Sequence, residues 1–478
     1  MTYEELEPKS VFSYFKKLSA IPRGSGNERA AAEFVRDTAH SLGCEAEIDA
    51  SNNVLVRAKA TPGCENREPI ALQGHLDMVC EANRGTKHDF LRDPIELVLT
   101  GDELRANGTT LGADDGVAAA VALAVLESDQ PHPALECLFT TEEETGLTGM
   151  RNFDASKLVS RRLINIDSAG EGVATVSCAG GVRSHIRFPL AFETIPDGCA
   201  VLELEITGLA GGHSGEDINL GRKNAIATAA RLLWAANKAD PTLCLASITG
   251  GMRDNAIPRE CAAVFTASDP SAVEKAVRDM EEKLRGELVP EDKDMKVSLR
   301  PAEADTRFLK PLSDALVCLL RSLPCGVYGM SRLIPDLVET SANLAVVRAE
   351  GDCLHIVVSS RSSVESMLDD MQDRVECAAF AAGATVEHNS RYPGWEFADC
   401  SPLQELYLET WKELFGTDAR AIGIHAGLEC GLMKGKLPDM DMISIGPDVK
   451  NLHSPDEVLG VSSLARLYRL VCAMLEKA

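Results

Sequence analysis

The sequence predicts an α/β domain interrupted by a long α+β insertion. Apolar strand-like segments alternate with helical ones towards both ends of the chain, while the middle switches to many alternating strands separated by single helices. Acidic residues and histidines also follow the early strands and recur near the C-terminus, so the two ends must meet in one domain. The expected division is residues 1–192 and 396–478 for the α/β domain and 193–395 for the insertion. At 478 residues the chain exceeds one ordinary core, and two domains are the natural expectation.

The elements follow in order. Helical periodicity runs over 28–42, and Gly43 follows as a C-cap. PIALQGHLD reads as a buried strand ending at His75, and 114–126 as a helix of small apolar residues. ALECLFT is a strand entering a turn at Glu143 and Glu144, and RRLINID another ending at Asp167. Far downstream, DMISIGP is strand-like and 462–477 is a closing helix. Such alternation suggests a sheet covered on both faces, with chemistry just past strand C-termini. Between 199 and 391 the strands VLELEITGL, LASITGG, AAVFTAS, MKVSLRP, HIVVSSR and ATVEHNS alternate with helices over 223–237, 272–284 and 362–380. That pattern predicts one or two ferredoxin-like units. No sequence repeat and no low-complexity linker is evident.

Composition narrows the function classes. The chain is 45% hydrophobic and 25% charged, which is globular. With 73 acidic and 48 basic residues the net charge is −25, which argues against nucleic acid and an anionic membrane surface as partners. The 15 cysteines form no CxxC pair, and many sit in apolar segments such as ALECLFT, which fits reduced thiols better than a disulfide framework. MTYEELEPKS does not read as a signal peptide, and GVAAAVALAVL is too short to span a bilayer. A cytoplasmic protein is expected.

The candidate site is an ordered set: His75, Asp77, Asp114, Asp115, Glu143, Glu144, Asp167 and His453, carried by QGHLDMVCE, LGADDG, TTEEETG, LINIDSAGEG and ISIGPDVKNLHSPDE. A His/Asp/Glu set without cysteine suits two divalent cations (zinc, manganese or cobalt) that activate water in a hydrolase. In GHLDM the expectation is that His75 ligates while Asp77 bonds its other ring nitrogen and fixes the tautomer. Adjacent aspartates at a helix start cap the helix, or Asp114 bridges two cations about 3.5–4 Å apart. Three consecutive glutamates make a solvated loop elsewhere. Here they follow an apolar strand and precede Gly146 and Gly149, so one can ligate while its neighbour takes a proton from water. Asp167 ends an apolar strand, where a buried charge is costly unless paired or ligating.

GHLD, GADDG, EExG, the Asp at a strand end and the late His resemble the co-catalytic zinc peptidases of the peptidase T, carboxypeptidase G and aminoacylase superfamily. HAGLECG, which starts at His425, GGHSGEDINLGRKNA and the large insertion are most similar to the dipeptidases of that superfamily. The resemblance implies a mixed-sheet zinc-peptidase domain with a ferredoxin-like lid inserted in it. It also implies that His75 and Asp167 hold one metal, Glu144 and His453 the other, and that Asp114 bridges. Asp77 would orient His75, Glu143 would be the general base and Asp115 would shape the turn. Gly146 sets the register, leaving Glu142 spare. In the lid, His213 would stabilise the oxyanion, Asn255 would contact substrate and Arg361 would bind its carboxylate. Ser360 stands where the family carries an Asp before that arginine. His425 and Glu429 would touch the substrate amine or side chain. The implied activity is hydrolysis of dipeptides, of Xaa-His type and broader. A tripeptide aminopeptidase or an N-acyl-amino-acid deacylase would use the same metal set, and a metal-binding protein without catalysis is the alternative of another class. Relatives dimerise through a lid surface, so a homodimer is implied unless a doubled lid serves a monomer.

Overall fold

A computed structural model describes residues 2–478, which divide into two units. The first runs to Ser177 and resumes at Phe397–Gly423 and Leu428–Ala478; the second is Cys178–Glu396 with Ile424–Gly427.

In the first unit, eight strands form a mixed sheet in the order Glu45–Ile48, Val54–Ala58, Leu135–Thr140, Ile70–His75, Arg162–Asn165, Asp441–Ser444, Val173–Cys178, Arg420–Ile424. Ile70–His75 runs parallel to both Leu135–Thr140 and Arg162–Asn165, and the latter runs parallel to Asp441–Ser444. The strands Ile70–His75 and Leu135–Thr140 are buried at every position, as expected of a parallel sheet covered on both faces. Parallel register brings four strand C-termini to one edge: His75 pairs with Thr140, and Gln73 with Asn165. The segments bearing Glu143–Glu144, Asp167 and His453 therefore leave the sheet where His75 does.

The helix Ala113–Glu127 is apolar on nearly all sides and correspondingly buried. It backs directly onto the end of Ile70–His75. A side chain at Gly74 would collide with Ala118 and the Asp115 carboxylate, so glycine there sets the approach of helix to strand.

The second unit is one nine-stranded sheet whose paired strands are antiparallel. Eight of its strands form two ferredoxin-like halves, and the ninth, Gly326–Met330, pairs with Val338–Glu350. In one, Ala200–Thr207, helix Ala225–Ala239, Cys244–Gly250, Cys261–Ala267, helix Pro270–Arg285 and Lys296–Pro301 follow each other as βαββαβ, with the fourth strand beside the first. In the other, Gly180–Pro189, helix Lys310–Ser322, Val338–Glu350, Cys353–Ser362, helix Glu365–Ala381 and Thr385–Tyr392 repeat that order. The halves join through their second strands, at Gly250 and Val347. The four helices share one apolar core with the sheet, from Ile226 and Leu233 to Met371 and Val375.

Two expectations are corrected. The insertion begins at Cys178 rather than at 193, because Gly180–Pro189 pairs with Cys353–Ser362 and Thr385–Tyr392 as a central strand of that sheet. The chain also returns to the second unit at Ile424–Gly427, where Ala179 N–H donates to Ala426 O at 3.0 Å. The chain has 15 cysteines, and Cys137, Cys244, Cys261 and Cys472 are among those buried as thiols. Among the described residues no helix is long and apolar enough to cross a membrane.

Candidate active site

Asp114 turns one carboxylate oxygen towards each of two histidines. Its Oδ1 lies 3.0 Å from His75 Nε2 and its Oδ2 lies 3.1 Å from His453 Nε2. Asp167 Oδ1 approaches His75 Nε2 at 3.7 Å, and Glu144 Oε2 approaches His453 Nε2 at 3.2 Å. Two overlapping triads result, His75–Asp114–Asp167 and Asp114–Glu144–His453, each with donor atoms within 4.8 Å of one another. Glu143 joins His75 and Glu144 in a third such group. Glu144 Oε1 is buried without a hydrogen-bond partner, as suits an atom kept for a cation. Neutral imidazoles and carboxylates without thiolate fit zinc, manganese or cobalt. His453 holds φ +61°, a left-handed conformation uncommon outside glycine.

Asp77 does more than its expected part. Its backbone O lies 3.1 Å and its Oδ1 3.3 Å from His75 Nδ1, and Oδ1 also accepts the Glu143 N–H at 3.0 Å. Its Oδ2 accepts from the Glu144 N–H at 3.2 Å and from Ser25 Oγ at 2.8 Å. One buried residue thus orients a histidine, through its carbonyl and carboxylate, and the turn carrying both glutamates. Asp115, joined to Asp114 by a cis peptide, spends its carboxylate on backbone N–H groups. It accepts the His75 N–H at 3.0 Å and the Ala118 N–H at 3.3 Å, seating the strand end on the helix start.

The electrostatics follow from this crowding. Burial alone would lower the His75 pKa, but Asp167, Asp114 and Asp77 raise it well above the usual histidine value. Hydrogen bonds to Asp114 and Glu144 push His453 up to about 10. Burial opposes ionisation of Asp114, yet the two histidines hold it well below the carboxylate range. Burial raises Asp167. Glu143 is raised to about 8, first by burial and then by Glu429, Glu144 and Asp114 acting against His75.

Glu429, expected to touch substrate, is buried within the first unit. Its Oε2 accepts from Thr140 Oγ1 at 2.6 Å and Gln73 Nε2 at 2.5 Å, and burial raises it to about 7. The other expected substrate contacts belong to the second unit. Arg361 is only 8% exposed and donates to Tyr392 Oη at 3.1 Å. Its Nε finds no acceptor, and among the described residues no carboxylate lies within ion-pair distance of it. Burial and the Arg361 charge lower His213, and together they lower His425 to about 3. His213 Nδ1 accepts the Glu216 N–H at 3.2 Å, which leaves the ring proton on Nε2 as a donor. His425 Nε2 lies 2.7 Å from Ser341 Oγ. Asn255 is exposed, and its carbonyl accepts the Ser214 N–H at 2.8 Å.

Sequence reasoning passed over Arg23, Ser25, Glu28 and Glu457. Ser25 bonds Asp77, as above, and Glu28 accepts the Glu142 N–H at 3.0 Å. Arg23 and Glu457 bind backbone groups of the ligand-bearing loops. The available signals were RGSGNE before the first site strand and the Glu of HSPDE, and neither names its partner.

The profile of peptidase family M20/M25/M40 matches residues 71–477. The chain is 38% identical to the cytosol non-specific dipeptidase of Escherichia coli strain K12 over 477 residues, 99% of this chain and 98% of that protein. It is similar to the crystal structure of aminoacylhistidine dipeptidase from Vibrio alginolyticus, with a TM-score of 0.94 at 34% identity, covering 100% of this chain and 98% of that one. Aminopeptidase PepT of Bacillus cereus ATCC 10987 shares the fold at TM-score 0.58 and 16% identity, over 99% of each chain.

Proposed function

The chain belongs to peptidase family M20/M25/M40, and from that premise we propose that it hydrolyses dipeptides with the help of two divalent cations. The observation that carries the reading is Asp114 shared between two His–carboxylate triads, with Glu143 beside them. His75, Asp114 and Asp167 would hold one cation; Asp114, Glu144 and His453 would hold the other. Zinc is the first choice, with manganese and cobalt compatible. When bound, the pair acidifies water and polarises the scissile carbonyl.

The remaining work falls to the chain's own groups. The Glu143 carboxylate takes a proton from the attacking water and delivers it to the nitrogen of the leaving amine. Asp77 holds the Glu143 and Glu144 amides, so base and ligand keep their places during the transfer. His213, neutral and protonated at Nε2, is proposed as the donor to the developing oxyanion. Asn255 and His425 are retained as substrate contacts. Reduced thiols fit a cytoplasmic location, which belongs to the same reading.

The test is a small panel: Ala-His, β-Ala-His, Gly-Gly-Gly and N-acetyl-Met, offered to chelated protein before and after adding Zn²⁺, Mn²⁺ or Co²⁺. Metal-restored cleavage of the dipeptides alone is expected. Cleavage of only the tripeptide or the acetylated substrate would move the chain to a sister activity.

Arg361 is proposed to bind the substrate carboxylate, since a buried guanidinium without an acid partner is costly. Arg361→Ala should raise KM for a free-acid dipeptide roughly 10- to 100-fold while kcat changes far less. An equal rise for the C-terminal amide of that dipeptide would assign the carboxylate to another group.

A further inference from the structure

Two buried charged residues outside the ligand set grip the loop that carries Asp114. Glu457 receives four backbone N–H groups. Its Oε2 accepts from Leu111 at 2.8 Å and Gly112 at 3.0 Å, and its Oε1 accepts from Ala113 at 2.9 Å and Asp114 at 3.3 Å. Arg23 holds the same loop from the carbonyl side. Its Nη2 donates to Gly112 O, while Nη1 donates to Leu76 O at 2.8 Å and Asp77 O at 3.0 Å. Glu457 follows His453 within one short loop, in which its own N–H donates to Ser454 O at 3.1 Å. Arg23 therefore ties the His75–Asp77 segment to the Asp114 loop, and Glu457 ties the Asp114 loop to the His453 loop.

The partners decide the role. A carboxylate saturated by four N–H donors has no oxygen left for a cation. The Arg23 guanidinium spends Nη1 and Nη2 on carbonyls, its Nε being buried without an acceptor, and so leaves the neighbouring carboxylate oxygens free to ligate. Neither residue is a ligand, yet together they connect three ligand-bearing loops whose carboxylates repel one another.

We propose that Arg23 and Glu457 are positioning residues that hold the three loops as a preformed cradle, so that cation affinity as well as stability depends on them. The inference rests on the two-cation reading of the site. In Glu457→Gln the amide NH₂ replaces one acceptor and faces two of the four N–H donors. Zinc affinity, measured by competition with a chelating indicator, is expected to fall roughly 10- to 100-fold. Turnover should fall at limiting zinc and largely recover in excess zinc, with KM near wild type. Arg23→Lys keeps the charge but loses the fork, and an intermediate loss of affinity is expected. A lower melting temperature with zinc affinity and zinc dependence unchanged would reduce both residues to structural parts and overturn the proposal. If Glu457→Gln fails to fold, Arg23→Lys is read by the same two criteria. Wild-type protein that takes up zinc but cleaves no dipeptide would sink the proposed function alone, because affinity is the readout here.

Discussion

Replacing Glu143 with alanine is expected to lower kcat by roughly 10²- to 10⁴-fold with both cations still bound and KM little changed. The metal triads are complete without Glu143, so its loss takes away no assigned ligand. What it removes is a carboxylate whose pKa burial raises and that is held in place through its own backbone N–H by Asp77. The competing candidate is Glu429, which is buried nearby and raised to about 7. Both Glu429 oxygens are buried, and one is committed to Thr140 and Gln73, so it is poorly placed to shuttle a proton to a leaving group. Metal analysis of the Glu143→Ala protein decides the matter. Loss of a cation would make Glu143 a ligand and leave Glu429 as the candidate base.

The candidate ligands were legible because each is a residue type with its own chemistry, placed where a recognisable strand ends. QGHLD, ECLFTTEEE and LINID announce both strand and ligand within a few residues. The supports were not legible. Arg23 and Glu457 act on backbone carbonyls and amides, which every residue has, so no residue type in the partner segments signals the contact. Each also reaches far along the chain, and no local periodicity encodes that distance. The doubled ferredoxin-like architecture was hidden for a topological reason. One half lies between the first strand of the other, Gly180–Pro189, and its first helix, Lys310–Ser322. A repeat split in this way has no fixed period to detect. The boundary error near residue 192 has the same origin, since Gly180–Pro189 looks like a continuation of the first domain until its partners, about 170 residues on, are known.

Asp114→Ala should strip both cations, whereas His453→Ala should strip one. Asp114 is the only residue in both the His75–Asp167 and the Glu144–His453 triads, and it offers a separate oxygen to each. Without it each side is left with one histidine and one carboxylate, fewer protein ligands than the three a catalytic zinc site ordinarily uses. Without His453 the triad of His75, Asp114 and Asp167 remains whole, and Asp77 still fixes the His75 ring. Asp114→Asn separates charge from geometry: it keeps one acceptor oxygen at similar reach but removes the negative charge that holds two histidines together. One cation retained with activity lost is the expected result for Asn. Elemental analysis after dialysis, alongside turnover of Ala-His, reads all three variants. An Asp114→Ala protein that kept both cations would show that two ligands a side suffice, and Asp114 would then be a neighbour of the centre rather than its bridge.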